Sequence, residues 1–435
     1  MPKRTDEEKK LVEKAFRYMP AGSLGNVIMK REEAFLIARG KGSRVWDSSG
    51  NEYIDYLLGS GPQFLGHANP EVTAAIKDAL DKGSTFFHTS EAAVRLAEEI
   101  VKAVPCAEQV RFTSSGTEAD LQAMRIARAF RKRDKILKFE GGYHGTSDYG
   151  WVSITHKETP AFPFAAIPES AGIPKAALDL ILVAPFNDLE TTASIIEKHH
   201  DELAAVIVEP VQRILPPVPG FLKGLREITA RYGVVLIFDE VVTGFRMAYG
   251  GAQEVFDIVP DMATYGKVIG GGMALAAVAG SEEVMSVCNS FVKEKPDFVS
   301  MVGTLSGNPV SASAGLAALK IVRRPGFYEK VNATGRKLMN GLSEAFARVE
   351  IPALVTGFET CFDVYFIDRP VRNHRDALKT DSAMHAKYHE AMLKRGILKG
   401  HLKYYVGPCH TEEDVAKTLK AFDEVAEELR RLPHG

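Results

Sequence analysis

The sequence contains little of what marks several common classes of protein. Its 435 residues include only four cysteines and no C-x-x-C pair, so neither a disulfide framework nor a cysteine zinc site is predicted. Lys and Arg total 54 against 56 for Asp and Glu, and this balance gives no electrostatic reason to expect nucleic acid or a membrane as partner. No apolar run approaches about eighteen residues and no apolar signal region opens the chain, so we expect a cytoplasmic protein.

Several catalytic signatures are also missing. The sequence has no G-x-G-x-x-G, no P-loop, no H-E-x-x-H and no G-x-S-x-G, which argues against dinucleotide enzymes, P-loop enzymes, zinc proteases and α/β-hydrolases. His385 and His389 are spaced i, i+4 on a predicted helix. Because a histidine pair without a third ligand is seldom a metal site, we predict no metal. A purely structural or regulatory role on the same fold stays open at this point.

What the chain does contain is an alternation of short apolar runs and helical stretches in its middle. Between Gln109 and Glu240, runs such as ILVAP, AAVIVEP and VVLIFDE are separated by helical patterns, which indicates a mostly parallel sheet flanked by helices. We therefore predict an α/β protein with a large domain over 58–310. The N-terminal helix and strands over 1–57 would belong to a smaller α+β domain, which 311–435 completes.

One carboxylate and one amine flank the last part of this alternation. Asp239 ends the apolar run VVLIFDE, and Lys267 lies between a Tyr-Gly pair and three glycines. Since ligands of such sheets bind at the carboxyl ends of the strands, we expect both side chains to face one pocket. A lysine amine can form a Schiff base with an aldehyde cofactor, and a carboxylate can keep a pyridine nitrogen protonated. The pair suits pyridoxal phosphate chemistry.

Other motifs extend this interpretation. Ser115, Gly116 and Thr117 join a predicted strand to a helix, whose unpaired N–H groups can hold a phosphate or simply form an ordinary N-cap. Two glycines precede Tyr143 in FEGGYHG, so its ring could lie over a flat ligand or pack in the core. Glu209 ends the strand AAVIVE, and GTLSGNP contains Thr304 in a glycine-rich turn.

Taken in order, SSGTEA, FEGGYHG, VEP, FDEVVTGFR, PD with GKVIGGG, and GTLSGNP resemble the class III (fold type I) pyridoxal-phosphate aminotransferases. The branch is similar to glutamate-1-semialdehyde aminomutase, and the likeness covers roughly 19–413. It implies a homodimer with shared active sites and catalytic roles for Lys267, Asp239 and Tyr143. The cofactor contacts that it implies are Ser115, Gly116 and Thr117 at the phosphate, Tyr143 and Val241 at the two ring faces, Glu209 near the ring hydroxyl, Asp239 at the pyridine nitrogen, Lys267 as the Schiff-base lysine, and Thr304 reaching the phosphate from the partner subunit.

The sequence differs from that family at positions expected to contact the substrate. The segment SLGNVIMK contains no arginine before Arg31, where the aminomutases carry one that binds a carboxylate. Phe86 and Phe87 would make an apolar pocket rim, and Arg246 could turn toward the carboxylate of an acceptor. We therefore expect transfer from an amine, β- or ω-amino compound to a keto acid such as pyruvate, by a ping-pong aldimine mechanism. The alternative is glutamate-1-semialdehyde 2,1-aminomutase.

Overall fold

Strands and helices largely alternate over residues 109–240, as the sequence predicts. The structure is a computed structural model that describes residues 3–431. Its α-helices are α1 (Asp6–Tyr18), α2 (Pro70–Lys82), α3 (Glu91–Ala103), α4 (Gly116–Arg131), α5 (Lys175–Leu178), α6 (Leu189–His199), α7 (Phe221–Arg231), α8 (Gly251–Phe256), α9 (Glu282–Met285), α10 (Pro309–Val322), α11 (Phe327–Arg348), α12 (His374–Ala377), α13 (Ser382–Lys394) and α14 (Glu412–Arg430). Its strands are β1 (Ile37–Lys41), β2 (Arg44–Asp47), β3 (Glu52–Asp55), β4 (Gln109–Thr113), β5 (Lys135–Phe139), β6 (Phe164–Ala165), β7 (Ile181–Ala184), β8 (Leu203–Val208), β9 (Val235–Asp239), β10 (Met262–Tyr265), β11 (Ala276–Gly280), β12 (Leu354–Phe358), β13 (Cys361–Tyr365), β14 (Ile397–Leu398) and β15 (Tyr404–Tyr405).

A large, mostly parallel sheet forms the centre of the molecule. Within residues 3–431 its strand order is β4-β11-β10-β9-β8-β5-β7-β6. Strands β7, β5, β8, β9 and β10 run parallel, whereas β11 pairs antiparallel with both β10 and β4, and β6 is an antiparallel edge strand. The predicted α/β class with a mostly parallel central sheet is confirmed.

The central strands are buried on both faces, and most of their residues are apolar. In β9, Leu236 and Phe238 pack into one hydrophobic cluster, while Val235 and Ile237 pack into another. Alternate side chains of a strand point to opposite faces, so the two clusters lie on opposite sides of the sheet. This double burial fixes β9 and holds Asp239, its last residue, at the carboxyl edge.

Two smaller sheets join parts of the chain that are far apart in sequence. The first has the order β1-β2-β3-β14, and β14 runs parallel to β3 with Ile397 opposite Ile54. The second contains β12, β13 and β15, all antiparallel. The first sheet supports our proposal that the segments 1–57 and 311–435 form one small domain, and the exact boundaries stay a prediction.

A short helix near the C-terminal strands contacts the large sheet. Arg375 of α12 donates two hydrogen bonds to Glu140, which follows β5, at 2.8 and 3.1 Å. His374 Nε2 donates to the carbonyl of His156 at 2.9 Å. These contacts hold α12 beside the loop that follows β5. In the part of the chain that is described, no helix has the length and apolar character needed to cross a membrane.

Candidate active site

Asp239 and Lys267 come from neighbouring strands. Strands β9 and β10 are parallel, with Thr264 opposite Asp239, so both strands end at the same edge of the sheet. Lys267 follows β10 after Gly266 and begins a short turn over Lys267–Gly270. Its backbone has φ of 45°, in the left-handed region that a lysine seldom adopts. Residues held in such conformations cluster at functional sites, and the strain supports a functional role for Lys267.

The charge state of Lys267 is set by its surroundings. Burial, followed by the nearby positive charge of Lys403, lowers the pKa of the amine to about 8. Arg246 and Arg213 lower it further, while the carboxylate of Asp239 acts in the opposite direction. A larger fraction of the amine is therefore neutral at physiological pH than for an exposed lysine, and the neutral form is the nucleophile and proton acceptor.

The carboxylate of Asp239 is fixed by two donors. His144 Nδ1 donates to Oδ2 at 2.8 Å, and the backbone N–H of Val241 donates to Oδ1 at 3.1 Å. Asp239 is only 5% exposed and His144 is buried. Among the described residues, His144 Nε2 has no hydrogen-bond partner. The bond from Nδ1 orients the imidazole ring, which in turn holds the carboxylate.

A second buried carboxyl group lies beside this pair. Asp120 of α4 accepts a hydrogen bond from Thr264 Oγ1 at 2.6 Å. Ligand atoms of Asp120, His144 and Asp239 lie within 4.8 Å of one another, a distance that would also allow a metal ion. Burial raises the pKa of Asp120 well above its usual value, and the charge of Asp239 raises it further. A protonated Asp120 can donate toward Asp239 rather than repel it.

The walls beside this edge are formed by Val241 and Tyr143. A methyl group added to Gly116 would lie 3.1 Å from Val241 Cγ1, and one added to Gly266 would lie 3.2 Å from the same atom, so both glycines permit a close approach. The backbone N–H of Tyr143 donates to Glu209 Oε2 at 3.0 Å. Val241, Tyr143 and Glu209 are thus brought near the strand ends, as expected.

The N-terminus of α4 forms a small polar cup. Ser115 is its N-cap, and its hydroxyl accepts from the backbone N–H of Glu118 at 3.2 Å. Thr117 Oγ1 accepts from the backbone N–H of Thr146 at 3.2 Å. The turn at Gly145 packs directly on this first helical turn. Because a helix N-terminus carries partial positive charge and free N–H groups, the cup suits an anion such as phosphate.

The family model described as aminotransferase class-III matches residues 28–420, which is most of the chain. The chain belongs to the class-III aminotransferases. Its family and its cofactor, pyridoxal phosphate, were both predicted from the sequence, and both predictions are confirmed. Its fold matches the fold type I transferases that use this cofactor.

Solved structures agree with this membership over nearly the whole chain. An omega-transaminase from Sphaerobacter thermophilus is 36% identical, with a TM-score of 0.93, and the match covers 97% of this chain and 98% of that one. A beta-phenylalanine aminotransferase from Variovorax paradoxus is 30% identical, with a TM-score of 0.85, over 96% and 93% of the two chains. A glutamate-1-semialdehyde aminomutase from Pseudomonas aeruginosa is 26% identical, with a TM-score of 0.85, over 97% and 94%.

The residues of this aminotransferase fit the cofactor. A planar pyridine ring needs a fixed carboxylate at one end and an anion site at the other, and Asp239 and the cup at Ser115 to Thr117 meet these needs. Gly116 and Gly266 allow the backbone to pack closely on Val241. Lys267 would supply the amine.

Phe86, Phe87 and Thr304, which were predicted to contact substrate or the partner's cofactor, lie away from Lys267 and Asp239. Phe86 and Phe87 are 52% and 72% exposed, and both line an open groove of about 600 Å³ together with Thr304. Neither Lys267 nor Asp239 lines this groove in the described chain. Within one subunit, the structure therefore does not bring these three residues to the strand ends.

Arg246 occupies a fixed and buried position in this aminotransferase. Its Nε donates to the carbonyl of Val242 at 2.9 Å, and its Nη2 donates to that of Gly61. The guanidinium lies 4.7 Å from the ring centre of Phe64 and 5.1 Å from that of Tyr405. In the described residues Nη1 has no hydrogen-bond partner, so one donor of the guanidinium is left unused.

Sequence reasoning assigned no role to four further residues of the site: Asp120, His144, Arg213 and Lys403. A signal was present for His144, because it adjoins Tyr143 in FEGGYHG. Asp120 follows the first turn of α4, yet its partner Thr264 is 144 positions away. Arg213 and Lys403 carry no local motif, since only the tertiary fold brings them near Lys267.

Proposed function

We propose that this aminotransferase moves an amino group from an amine, β- or ω-amino compound to a keto acid such as pyruvate. The observation that carries the proposal is the buried amine of Lys267, with its pKa lowered to about 8, beside the carboxylate of Asp239. The named relatives support the substrate class, because the omega-transaminase and the beta-phenylalanine aminotransferase share more identity with this chain than the aminomutase does.

The roles of the chain's own residues follow from their positions. When bound, pyridoxal phosphate supplies an electron-withdrawing ring that stabilises negative charge on the donor carbon. Lys267 would hold the cofactor covalently. Once released, its amine would accept a proton from the donor carbon and deliver it to the cofactor. Asp239, held by His144, would keep a positive charge on the facing ring nitrogen. The cup formed by Ser115, Gly116 and Thr117 would bind the phosphate.

A shared site between two subunits is part of the proposal. Phe86, Phe87, Val302 and Leu305 are all more than half exposed, which is unusual for large apolar side chains near one groove. A second copy of the chain would cover them. Thr304, in the same exposed turn, would then face the phosphate cup of the partner, and Phe86 and Phe87 would line the mouth of the partner's pocket.

Glutamate-1-semialdehyde 2,1-aminomutase remains the second candidate, and the similarity to the enzyme from Pseudomonas aeruginosa is the observation in its favour. An aminomutase returns the nitrogen to the same substrate molecule and needs no separate acceptor. A transaminase requires two substrates that react in turn.

A substrate test separates the two candidates. Purified holoenzyme is given 1-phenylpropylamine or 3-amino-3-phenylpropanoate with pyruvate, and separately glutamate-1-semialdehyde alone. Alanine formation with the first two donors supports the transaminase. Conversion of the semialdehyde to 5-aminolevulinate without pyruvate, together with no alanine from either amine, would replace the first proposal by the second.

A further inference from the structure

Two positive side chains near Lys267 have no anionic partner. Lys403 precedes β15 and is 7% exposed, and Arg213 is half-buried in the loop after β8. Within residues 3–431, neither side chain forms an ion pair or donates a hydrogen bond under ordinary distance limits. Burial of a cation without a counter-charge is costly. Such an arrangement is typical of a site that receives an anion from outside the chain.

Lys403 lies near the side chain of Lys267, beside Gly61 and Tyr405. A methyl group added to Gly61 would lie 3.1 Å from Lys267 Cδ and 3.0 Å from both Tyr405 Cε1 and Arg246 Nη2. Lys403 Nζ is 5.9 Å from the ring centre of Tyr405. Tyr405 therefore connects Lys403 to the side chain of Lys267.

Arg213 lies near Lys267 on the side of Tyr143. Its guanidinium carbon is 5.3 Å from the ring centre of Tyr143, the residue expected to cover one face of the cofactor. Its backbone has φ of 60°, again in the left-handed region. The lowered pKa of Lys267 agrees with this geometry, because Lys403, Arg246 and Arg213 all repel a positive charge there.

The phosphate of the cofactor does not account for these cations. Its expected position is the cup at the N-terminus of α4, whose donors are backbone N–H groups and the side chains of Ser115 and Thr117. Arg246 is also already held by two carbonyls and two rings. The groups left to bind a second anion are Arg213 and Lys403, together with Nη1 of Arg246.

We propose that Arg213 and Lys403 bind the carboxylate of the substrate, so that the enzyme selects β- or ω-amino acids and keto acids over amines without a carboxylate. This proposal rests on the proposed transaminase function and deepens it. The segment SLGNVIMK lacks the carboxylate-binding arginine of the aminomutases. Arg213 and Lys403 supply positive charge for a carboxylate from other parts of the chain. An arginine fork and a lysine point charge suit one carboxylate together.

The test compares two donors that differ only in the carboxylate. In 1-phenylpropylamine a methyl group stands where 3-amino-3-phenylpropanoate has its carboxylate. For each of Arg213→Gln and Lys403→Gln, we expect kcat/KM for the amino acid to fall about 10- to 100-fold, the usual range for losing a hydrogen bond to a charged group. The value for the amine should fall by a clearly smaller factor, so the ratio of the two kcat/KM values should drop about tenfold or more.

Controls separate binding from folding. Arg369, which is exposed and pairs with Asp368, gives the matched control Arg369→Gln, and both donors should react as with the wild type. Lys403→Arg keeps the charge and should recover part of the lost activity. Kinetic values are compared only for variants whose holoenzyme has the same cofactor absorbance as the wild type. Equal losses for both donors, or no recovery in Lys403→Arg, would overturn the proposal.

A binding measurement makes the result independent of turnover. Calorimetry with wild-type holoenzyme should show tighter binding of 3-phenylpropanoate than of neutral 3-phenylpropan-1-ol, and both glutamine variants should lose that preference. An unchanged preference in the variants contradicts the carboxylate site. If the wild type transfers nitrogen from neither donor yet prefers the acid, the transaminase function fails while the anion site stands.

Discussion

The amine of Lys267 has a pKa lowered to about 8, because burial disfavours its charged form and neighbouring cations repel it. Since the neutral amine is the nucleophile, we expect covalent reconstitution of apoenzyme with pyridoxal phosphate to accelerate about tenfold per pH unit below pH 8 and to level off above it. Stopped-flow absorbance measures the rate. Lys403→Gln should move the midpoint upward, and a wild-type rate that still rises toward pH 10 would contradict the assigned pKa.

A second residue-scale prediction concerns Asp120, whose pKa in the folded chain is raised well above its usual 3.8 by burial and by the charge of Asp239. The folded state then holds a proton that the unfolded state releases, so wild-type stability falls as pH rises from about 4 toward the raised pKa. Asp120→Asn keeps the acceptor for Thr264 and removes this loss. We expect its stability advantage to grow by up to roughly 1.4 kcal/mol per pH unit.

Urea unfolding of both apoenzymes between pH 5 and pH 8.5 measures that difference. Asp134→Asn serves as a control, because Asp134 is exposed in the turn between α4 and β5, and we expect it to show no pH-dependent gain. An Asp120→Asn advantage that is constant across the range would mean that Asp120 is not protonated in the fold.

At the scale of elements, the phosphate cup depends on how closely a turn packs against α4. Gly145 has φ of 78°, and a methyl group added there would lie 2.5 Å from Thr117 Cα. Gly145→Ala must therefore displace the first turn of the helix. We expect the affinity for pyridoxal phosphate to fall at least about tenfold, because free N–H groups and hydroxyls no longer converge on the phosphate.

The matched control for this prediction is Gly172→Ala. Gly172 has a similar φ of 92° but nothing within 4 Å of an added methyl group. Gly172→Ala therefore introduces similar backbone strain but displaces no neighbouring residue. Titration of each apoenzyme with cofactor gives the dissociation constants. Equal affinities for the two variants would show that the contact with Thr117 is unimportant for the cup.

Some elements of the fold and some contacts in the site could be predicted from the sequence, and others could not. Strands β8 and β9 were predictable because they are apolar at every position before the closing Asp239, and the order of motifs identified the family. The pairing of Asp120 with Thr264 and the positions of Arg213 and Lys403 were not, because they depend on contacts between distant segments. The two-residue strand β14 is too short to carry a periodic pattern of its own.

At the scale of the whole molecule, the proposed shared site predicts complementation between two inactive chains. Lys267→Ala removes the amine and Thr304→Asp places a negative charge where the partner's phosphate would lie. In a hybrid dimer one site has both defects and the other has none. Coexpression in equal amounts should therefore give about a quarter of the wild-type activity, since half of the dimers are hybrids with one intact site.

Differently tagged chains allow the hybrids to be isolated and assayed by themselves, where the expected activity is about half that of the wild type. Sedimentation of the wild type gives the oligomeric state directly. Isolated hybrids without activity would refute a site built from Lys267 of one subunit and Thr304 of the other, and an active wild-type monomer would refute it as well.

The parallel pairing of β14 with β3 imposes an order of assembly during synthesis. At an elongation rate of roughly 5–20 residues per second, Ile397 is added roughly 20–70 s after Ile54. Until then, the edge of β3 that β14 will occupy presents unpaired backbone N–H and C=O groups, the kind of edge that recruits strands from other nascent chains. A ribosome that stalls before Ile397 therefore leaves an aggregation-prone edge near the beginning of the chain, far from the point of arrest.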